Sequence, residues 1–320
     1  MAMVLAAGWS EAGLGSGDLE VLGAASRLAA LLDASFVYAS LGPDAQASAH
    51  AAATCGPDRC IAIAGLDAIN DLYVTALAGL VSEMQPQYVL LPTDARGREI
   101  APRLAGRVGG CAINDVVEMV SAAGEPAWTR PVFGGKALAT LAPTRLPLVL
   151  SLGLRRFEPA ISTGVAVAVE ERISEVGPSP IRIVRRLPAE GGERLEDASV
   201  IVSGGRGVGD EATFSRLQDL AHWLGGSVGA SLAAVDQGWA TPAHQVGLSG
   251  KVVSPQVYFA VGISGASQHL AGLASVKALV AINSDAKAPI FDAARLGVVM
   301  DCHVLLPALI EEAKRRDLRG

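Results

Sequence analysis

The succession of apolar runs predicts an α/β protein. It begins with a doubly wound, Rossmann-like N-terminal domain carrying appended antiparallel strands, and ends with a second parallel-sheet domain. Three observations carry this. Strand-length apolar runs alternate with longer amphipathic stretches from residue 4 to about 108. The alternation lapses from Ile113 to about Leu187, where short apolar runs follow one another without helices. It resumes after residue 197.

In order along the chain, Val4–Ala7 reads as a short buried strand. Asp18–Leu32 reads as a helix, because Leu19, Leu22, Ala25, Ala29 and Leu32 share one stripe. Ser35–Ala39, Arg59–Ala64 and Tyr88–Leu91 read as strands, and Asp67–Met84 as a helix. Asp94 is placed to cap a helix running to about Val108. Asp115–Val120, Leu146–Leu152 and Thr163–Val169 read as the appended antiparallel strands. Prolines and glycines cluster with charges around Leu187–Asp197, which reads as a linker between domains at 1–190 and 197–320. Beyond it, Ser199–Val202, Gln256–Val261, Ala278–Ile282 and Gly297–Met300 read as strands. Glu211–Leu224, stopped by Gly225, and Val304–Arg316 read as helices.

Composition narrows the function. A length of 320 residues suits two domains, and a net charge of −6 gives no global basic field for nucleic acid or anionic lipid. Cys55, Cys60, Cys111 and Cys302 show neither a zinc nor a redox spacing, and read as small buried hydrophobes in a reducing compartment. The segment Met1–Gly8 has no basic residue, and Pro, Gln, Ser and Gly interrupt the uncharged stretch Val252–Val276. The expectation is a cytoplasmic protein without signal peptide, transit peptide or membrane span.

Ligands of open α/β sheets sit beyond the carboxyl ends of the strands. There the second domain carries Ser203-Gly-Gly-Arg-Gly-Val-Gly209, and again Gly262-Ile-Ser-Gly265. Successive glycines let backbone N–H groups approach an anion, and Arg206 can fork two phosphate oxygens. Ser231, Asn283 and Asp301 lie at further strand ends. The spacing is neither the Gly-x-Gly-x-x-Gly fingerprint nor a P-loop. On the residues alone, three readings stay open: tight structural turns, a nucleotide-binding module without redox activity, and an NAD(P)-dependent oxidoreductase subunit.

Longer motifs add a resemblance. Val202-Ser-Gly-Gly-Arg-Gly-Val-Gly-Asp210, Val228-Gly-Ala-Ser-Leu-Ala-Ala-Val-Asp-Gln-Gly-Trp239 and Gln245-Val-Gly-Leu-Ser-Gly-Lys-Val-Val-Ser-Pro255 follow in order. After them come Tyr258-Phe-Ala-Val-Gly-Ile-Ser-Gly-Ala-Ser-Gln-His-Leu-Ala-Gly272 and Val280-Ala-Ile-Asn-Ser-Asp-Ala-Lys-Ala-Pro-Ile-Phe291. Together they resemble the α subunit of electron transfer flavoprotein. Arg96–Ala105 and Arg130–Ala139 are similar to that family's first domain more loosely.

The resemblance implies FAD bound mainly by the C-terminal domain, in a heterodimer with a β subunit. A flavin dehydrogenase would donate electrons, as in fatty acid β-oxidation. A quinone oxidoreductase or similar protein would accept them, and the chain would have no substrate chemistry of its own. It further implies that Arg206 and Ser231 contact the cofactor. Val246, Gly247, Leu248 and Ser249 would pass the isoalloxazine, with the Ser249 hydroxyl near N5. Ser264, Gly265, Ala266, Ser267, Gln268 and His269 would line the pyrophosphate and the ring. His269 would stand near the pyrimidine carbonyl as a donor, or as a cation where the field raises its pKa. Asn283, Asp301 and Cys302 would lie toward the adenosine. Two departures stand out: Leu232 where the family has Arg, and Leu248-Ser249-Gly250 where it has Gln-Thr-Gly. They remove a cation and an amide, so altered redox tuning is expected.

Overall fold

The computed structural model describes residues 2–9, 13–122, 125–133, 137–174, 176, 177, 179–185, 195, 196, 198–273 and 276–316. The chain divides into two compact units, the first over 1–132 and 137–186 and the second over 133–136 and 187–320. The expected linker lies outside the described residues, except Leu195, Glu196 and Ala198 around its end. Leu195 is buried in the core of the second unit beside Ala198, and Glu196 takes a hydrogen bond from Lys251 Nζ at 2.8 Å.

The first unit is wound around β1 (Met3–Gly8), β2 (Ser35–Leu41), β3 (Arg59–Ala64), β4 (Tyr88–Pro92), β5 (Cys111–Val116), β9 (Leu148–Leu152) and β10 (Val169–Ile173). Their order is β10-β3-β2-β1-β4-β9-β5, and every pairing is parallel. The strands between, β6 (Glu118–Ala122), β7 (Glu125–Val132) and β8 (Ala137–Leu141), form a separate antiparallel sheet. Helices α1 (Ser16–Leu32), α2 (Ala45–Ala52), α3 (Asn70–Met84) and α4 (Ala95–Val108) complete the layers. The apolar stripes of α1, α3 and α4 pack on the sheet in two large clusters, one per face, and Ala45 and Ala49 of α2 form a small cluster with Ala62 of β3. Asp94 caps α4 as expected, its Oδ1 accepting from Gly97 N at 2.7 Å.

The doubly wound unit with added antiparallel strands is present, but the three runs read as antiparallel fare differently: of Asp115–Val120 only Glu118–Val120 is antiparallel, in β6, while Asp115 and Val116 end the parallel strand β5, and the other two runs are not antiparallel. Leu148–Leu152 is a parallel strand inside the main sheet, buried along its whole length. The run read at Thr163–Val169 is a strand only from Val169 onward, where it pairs parallel with β3 at the sheet edge. Helix α2 was not expected: its buried face is Ala45, Ala49 and Ala52, too small to register as an apolar stripe.

The second unit holds β11 (Val200–Gly204), β12 (Ser227–Ala230), β13 (Val257–Val261), β14 (Ala278–Asn283) and β15 (Leu296–Val299). All are parallel, in the order β12-β11-β13-β14-β15. Between them run α5 (Glu211–Trp223), α6 (Leu232–Asp236), α7 (Ser267–Leu270) and α8 (Ile290–Ala293), and α9 (Cys302–Arg316) follows. Phe214, Leu217 and Ala221 of α5 are buried, and Gly225 leaves the helix at φ 62°. The chain steps from β11 to one side and later returns to β13 on the other. The strand order therefore reverses between these two strands, and such switch points are where open α/β sheets bind ligands. Among the described residues, no helix is long and apolar enough to cross a membrane.

Candidate functional site

The carboxyl ends of β11 and β13 carry the two glycine turns, and the structure interlocks them. Gly205 N donates to Val261 O at 2.8 Å, and Gly207 N donates to Gly262 O at 3.0 Å. Gly262 adopts φ 61°, and a Cβ there would lie 2.5 Å from the Gly207 carbonyl carbon. Only glycine admits this approach, so the turns meet backbone to backbone.

Past the interlock the backbone opens. The N–H groups of residues 264–267 make no hydrogen bond among the described residues. Ser264 and Ala266 are exposed, whereas Gly265 is packed against the backbone of Pro289 and Ile290. Arg206, exposed at the tip of the first turn, has no ion-pair partner among the described residues. Successive N–H groups without an acceptor and a guanidinium without an ion-pair partner, among the described residues, are the donors that an anion at a switch point would need.

The other expected residues gather along the same sheet edge. Ser231 follows β12, and its Oγ accepts from Ala234 N at 3.3 Å to cap α6. Backbone bonds tie the segment 245–251 to β12 and α7: Val246 N donates to Ala230 O at 2.8 Å and Leu248 N to Gln268 O at 2.7 Å. This ties Val246, Gly247, Leu248 and Ser249 to α7, where Ser267, Gln268 and His269 lie. Ser249 is exposed, and its Oγ accepts from Gln245 Nε2 at 2.9 Å. Asn283 braces the edge, donating to Ile263 O at 3.0 Å while its Oδ1 accepts from Asp285 N at 2.9 Å. Asp301 Oδ1 lies 2.7 Å from His303 Nδ1, and bonds from the His303 backbone and ring hold this carboxyl below its ordinary range. Cys302 is buried, with Sγ 3.9 Å from Gly207 O, and burial raises its pKa.

His269 is 6% exposed, and its Nε2 lies 2.9 Å from the Tyr258 hydroxyl. Burial pushes its pKa down to about 4, so the ring is neutral near pH 7 rather than cationic. Two residues the sequence did not single out belong to this site: Tyr258, through His269, and the buried Gln245, through Ser249. Both stand inside quoted motifs, but nothing in the spacing showed what they touch.

Comparison with known proteins settles the family. The family model described as "Electron transfer flavoprotein domain" matches residues 3–176, and "Electron transfer flavoprotein FAD-binding domain" matches residues 194–274. The chain belongs to the electron transfer flavoprotein family, as an α subunit. The electron transfer flavoprotein α subunit of Thermoanaerobacterium thermosaccharolyticum is 39% identical over 253 residues, 76% of each chain. That of Mycobacterium leprae is 40% identical over 264 residues, 80% of this chain and 81% of the relative. Protein FixB of Azorhizobium caulinodans is 36% identical over 316 residues, 93% of this chain and 84% of the relative.

The cofactor of such a flavoprotein domain is FAD, and the residues present fit it. Its pyrophosphate needs donors, which the 264–267 backbone offers, and its dianionic charge needs a cation such as Arg206. Leu232, 51% exposed at the first position of α6, and the exposed Leu248 add no charge or donor of their own.

Proposed function

We propose that this α subunit pairs with a β subunit and works in the cytoplasm as an electron carrier. It takes electrons from a flavin dehydrogenase and passes them to a quinone oxidoreductase or similar acceptor. It performs no substrate chemistry of its own. The observation that carries this is the open backbone run at 264–267 and Arg206, which has no ion-pair partner among the described residues, at the switch point of a domain matching the FAD-binding family. FAD, when bound, supplies the redox centre.

The chain's own residues hold that centre. Arg206 and the 264–267 N–H groups bind the pyrophosphate. Ser249, fixed by Gln245, presents a hydroxyl that can donate or accept as the flavin changes state. Ser231, Asn283, Asp301 and Cys302 lie toward the remainder of the cofactor. Exposed apolar side chains on the first unit, among them Leu138, Ile161, Val165 and Ile173, support a partner surface there. The four free cysteines accord with a reducing compartment.

The test is co-expression with a β subunit of the family from the same genome, followed by the visible spectrum, flavin count and mass of the product. The expected result is a yellow heterodimer with FAD in this subunit, and a poorly flavinated protein when the chain is made alone. A colourless complex would overturn the cofactor assignment. A fully flavinated, monodisperse monomer would overturn the need for a partner.

Arg206→Ala is expected to weaken FAD by about ten- to hundredfold, the worth of charge-assisted hydrogen bonds at about 1.5–3 kcal/mol. Equilibrium dialysis of the folded variant measures it. Unchanged affinity would mean that the guanidinium lies off the pyrophosphate.

A further inference from the structure

The loop 245–251 carries Ser249 and is closed at its neck by its own backbone. Lys251 N donates to Gln245 O at 2.6 Å, and Gly247 N donates to Lys251 O at 3.2 Å. Gly247 and Gly250 are two of its seven residues, so ordering it costs more backbone entropy than ordering an ordinary loop. Such a loop keeps one shape where groups outside it hold both ends. Near the Gln245 end, Val246 N is bonded to the last residue of β12. At the other end the Lys251 side chain reaches Glu196, 55 residues earlier, with Nζ donating to Oε1 at 2.8 Å.

Leu195 and Glu196 stand where the chain enters the second unit, and both are attached to this neck. Leu195 is buried in the apolar cluster that also holds Val246, inside the loop, and Val253, just past it. The Glu196 side chain is 17% exposed and that of Lys251 40%, so salt and water weaken this pair less than one on open surface. The two attachments differ in kind. Apolar contact is non-directional, whereas a charge-assisted hydrogen bond fixes one atom against another. Leu195 therefore gives adhesion, and the ion pair gives register.

We propose that Glu196 is a positioning residue for the cofactor loop: its bond to Lys251 fastens the segment entering the second unit to the neck of 245–251, so the place of Ser249 depends on where that segment is held. The bearing on the cofactor rests on the FAD reading above; the fastening does not. A displacement of residues 195 and 196 is passed to Lys251 and, through the two backbone bonds at the neck, to Gln245 and Gly247. Gln245 in turn holds the Ser249 hydroxyl, so the chain of contacts runs from the entering segment to the group nearest the ring.

The test is hydrogen exchange of the peptide spanning 245–251, read by mass spectrometry on the purified complex, with FAD release followed by flavin fluorescence. Glu196→Met keeps the length of the side chain and removes the acceptor. It should speed exchange by about three- to tenfold, between the worth of an exposed ion pair and that of a buried charged hydrogen bond. FAD leaves when the loop opens, so its release should quicken by a similar factor. The charge swap Glu196→Lys with Lys251→Glu should return both rates to within about twofold of wild type, as expected for a coupled pair. Unchanged exchange in Glu196→Met, or a swap that exchanges no more slowly than Glu196→Met, would overturn the fastening. Should the swap fail to fold, Lys251→Met is combined with Glu196→Met. A double variant no faster than the single ones supports the pair, and additive effects overturn it. Faster exchange with unchanged FAD release would overturn the bearing on the cofactor. A colourless wild-type complex would sink the FAD reading, while the exchange rates still judge the fastening.

Discussion

Gly262→Ala is expected to lose FAD on a desalting column to a much greater extent than Gly238→Ala. Both glycines lie in the left-handed region, at φ 61° and φ 79°. An alanine at either position therefore meets the same conformational cost of about 1–2 kcal/mol. The two differ in what a Cβ would touch. At Gly238 nothing lies within 4 Å. At Gly262 the new atom would sit 2.5 Å from Gly207 C and 2.6 Å from Val208 N, which are backbone atoms and cannot swing aside. The two turns must separate, and the bond from Gly207 N to Gly262 O opens with them. Overpacking of this kind costs about 1–3 kcal/mol or more. It falls on the element that aims Arg206 and residues 264–267 at one point, so an affinity loss of about ten- to a hundredfold is expected. Equal FAD retention in the two variants would show that the interlock is slack and the cofactor is held elsewhere.

That interlock was half legible in the sequence. Strand ends followed by Gly-Gly-Arg-Gly and Gly-Ile-Ser-Gly located the site, because glycine at a strand end signals close backbone approach. Nothing in the spacing showed that the two turns bind each other, since that depends on β11 and β13 being neighbours. The Tyr258–His269 pair stayed hidden for a related reason: a histidine in a polar, small-residue motif reads as exposed, and only the fold turns it inward. In the first unit, Leu148–Leu152 was read as antiparallel because no helix precedes it. The three-stranded sheet at 118–141 takes the place of the helix that usually connects parallel strands. The physical clue was present in the unbroken apolar run, which marks a strand buried on both faces of a parallel sheet. The edge strand β10 lacks that clue. Its Val-Glu-Glu-Arg-Ile sequence is charged, and Arg172 pairs with Glu83 at 2.6 Å, as suits a strand whose open edge must not pair further.

Asp18→Asn is expected to stabilise the first unit above pH 7 and to leave it nearly unchanged near pH 4. Asp18 is 5% exposed in the first turn of α1, where its Oδ2 accepts from Gly15 N at 3.0 Å. The helix start and that bond both favour the ionised form. Burial outweighs them: desolvation, with a smaller contribution from the nearby Asp94 charge, pushes the carboxyl up to about 6. A folded-state value above the unfolded one means that the ionised group opposes folding. The penalty is fully present above about pH 6, at about 3 kcal/mol, and fades as pH falls toward the unfolded value near 4. Asparagine keeps an oxygen for Gly15 N and carries no charge at any pH. Its amide hydrogens need an acceptor, and Tyr38 Oη, buried without a hydrogen-bond partner, converges with the Asp18 side chain on the space beside Gly8. A net gain of about 1–3 kcal/mol at pH 8 follows, several degrees in melting temperature for a unit of this size. Thermal unfolding of wild type and variant at about pH 8 and pH 4.5 measures it. An equal loss of stability at both values would show that the Asp18 carboxylate anchors α1 rather than straining it.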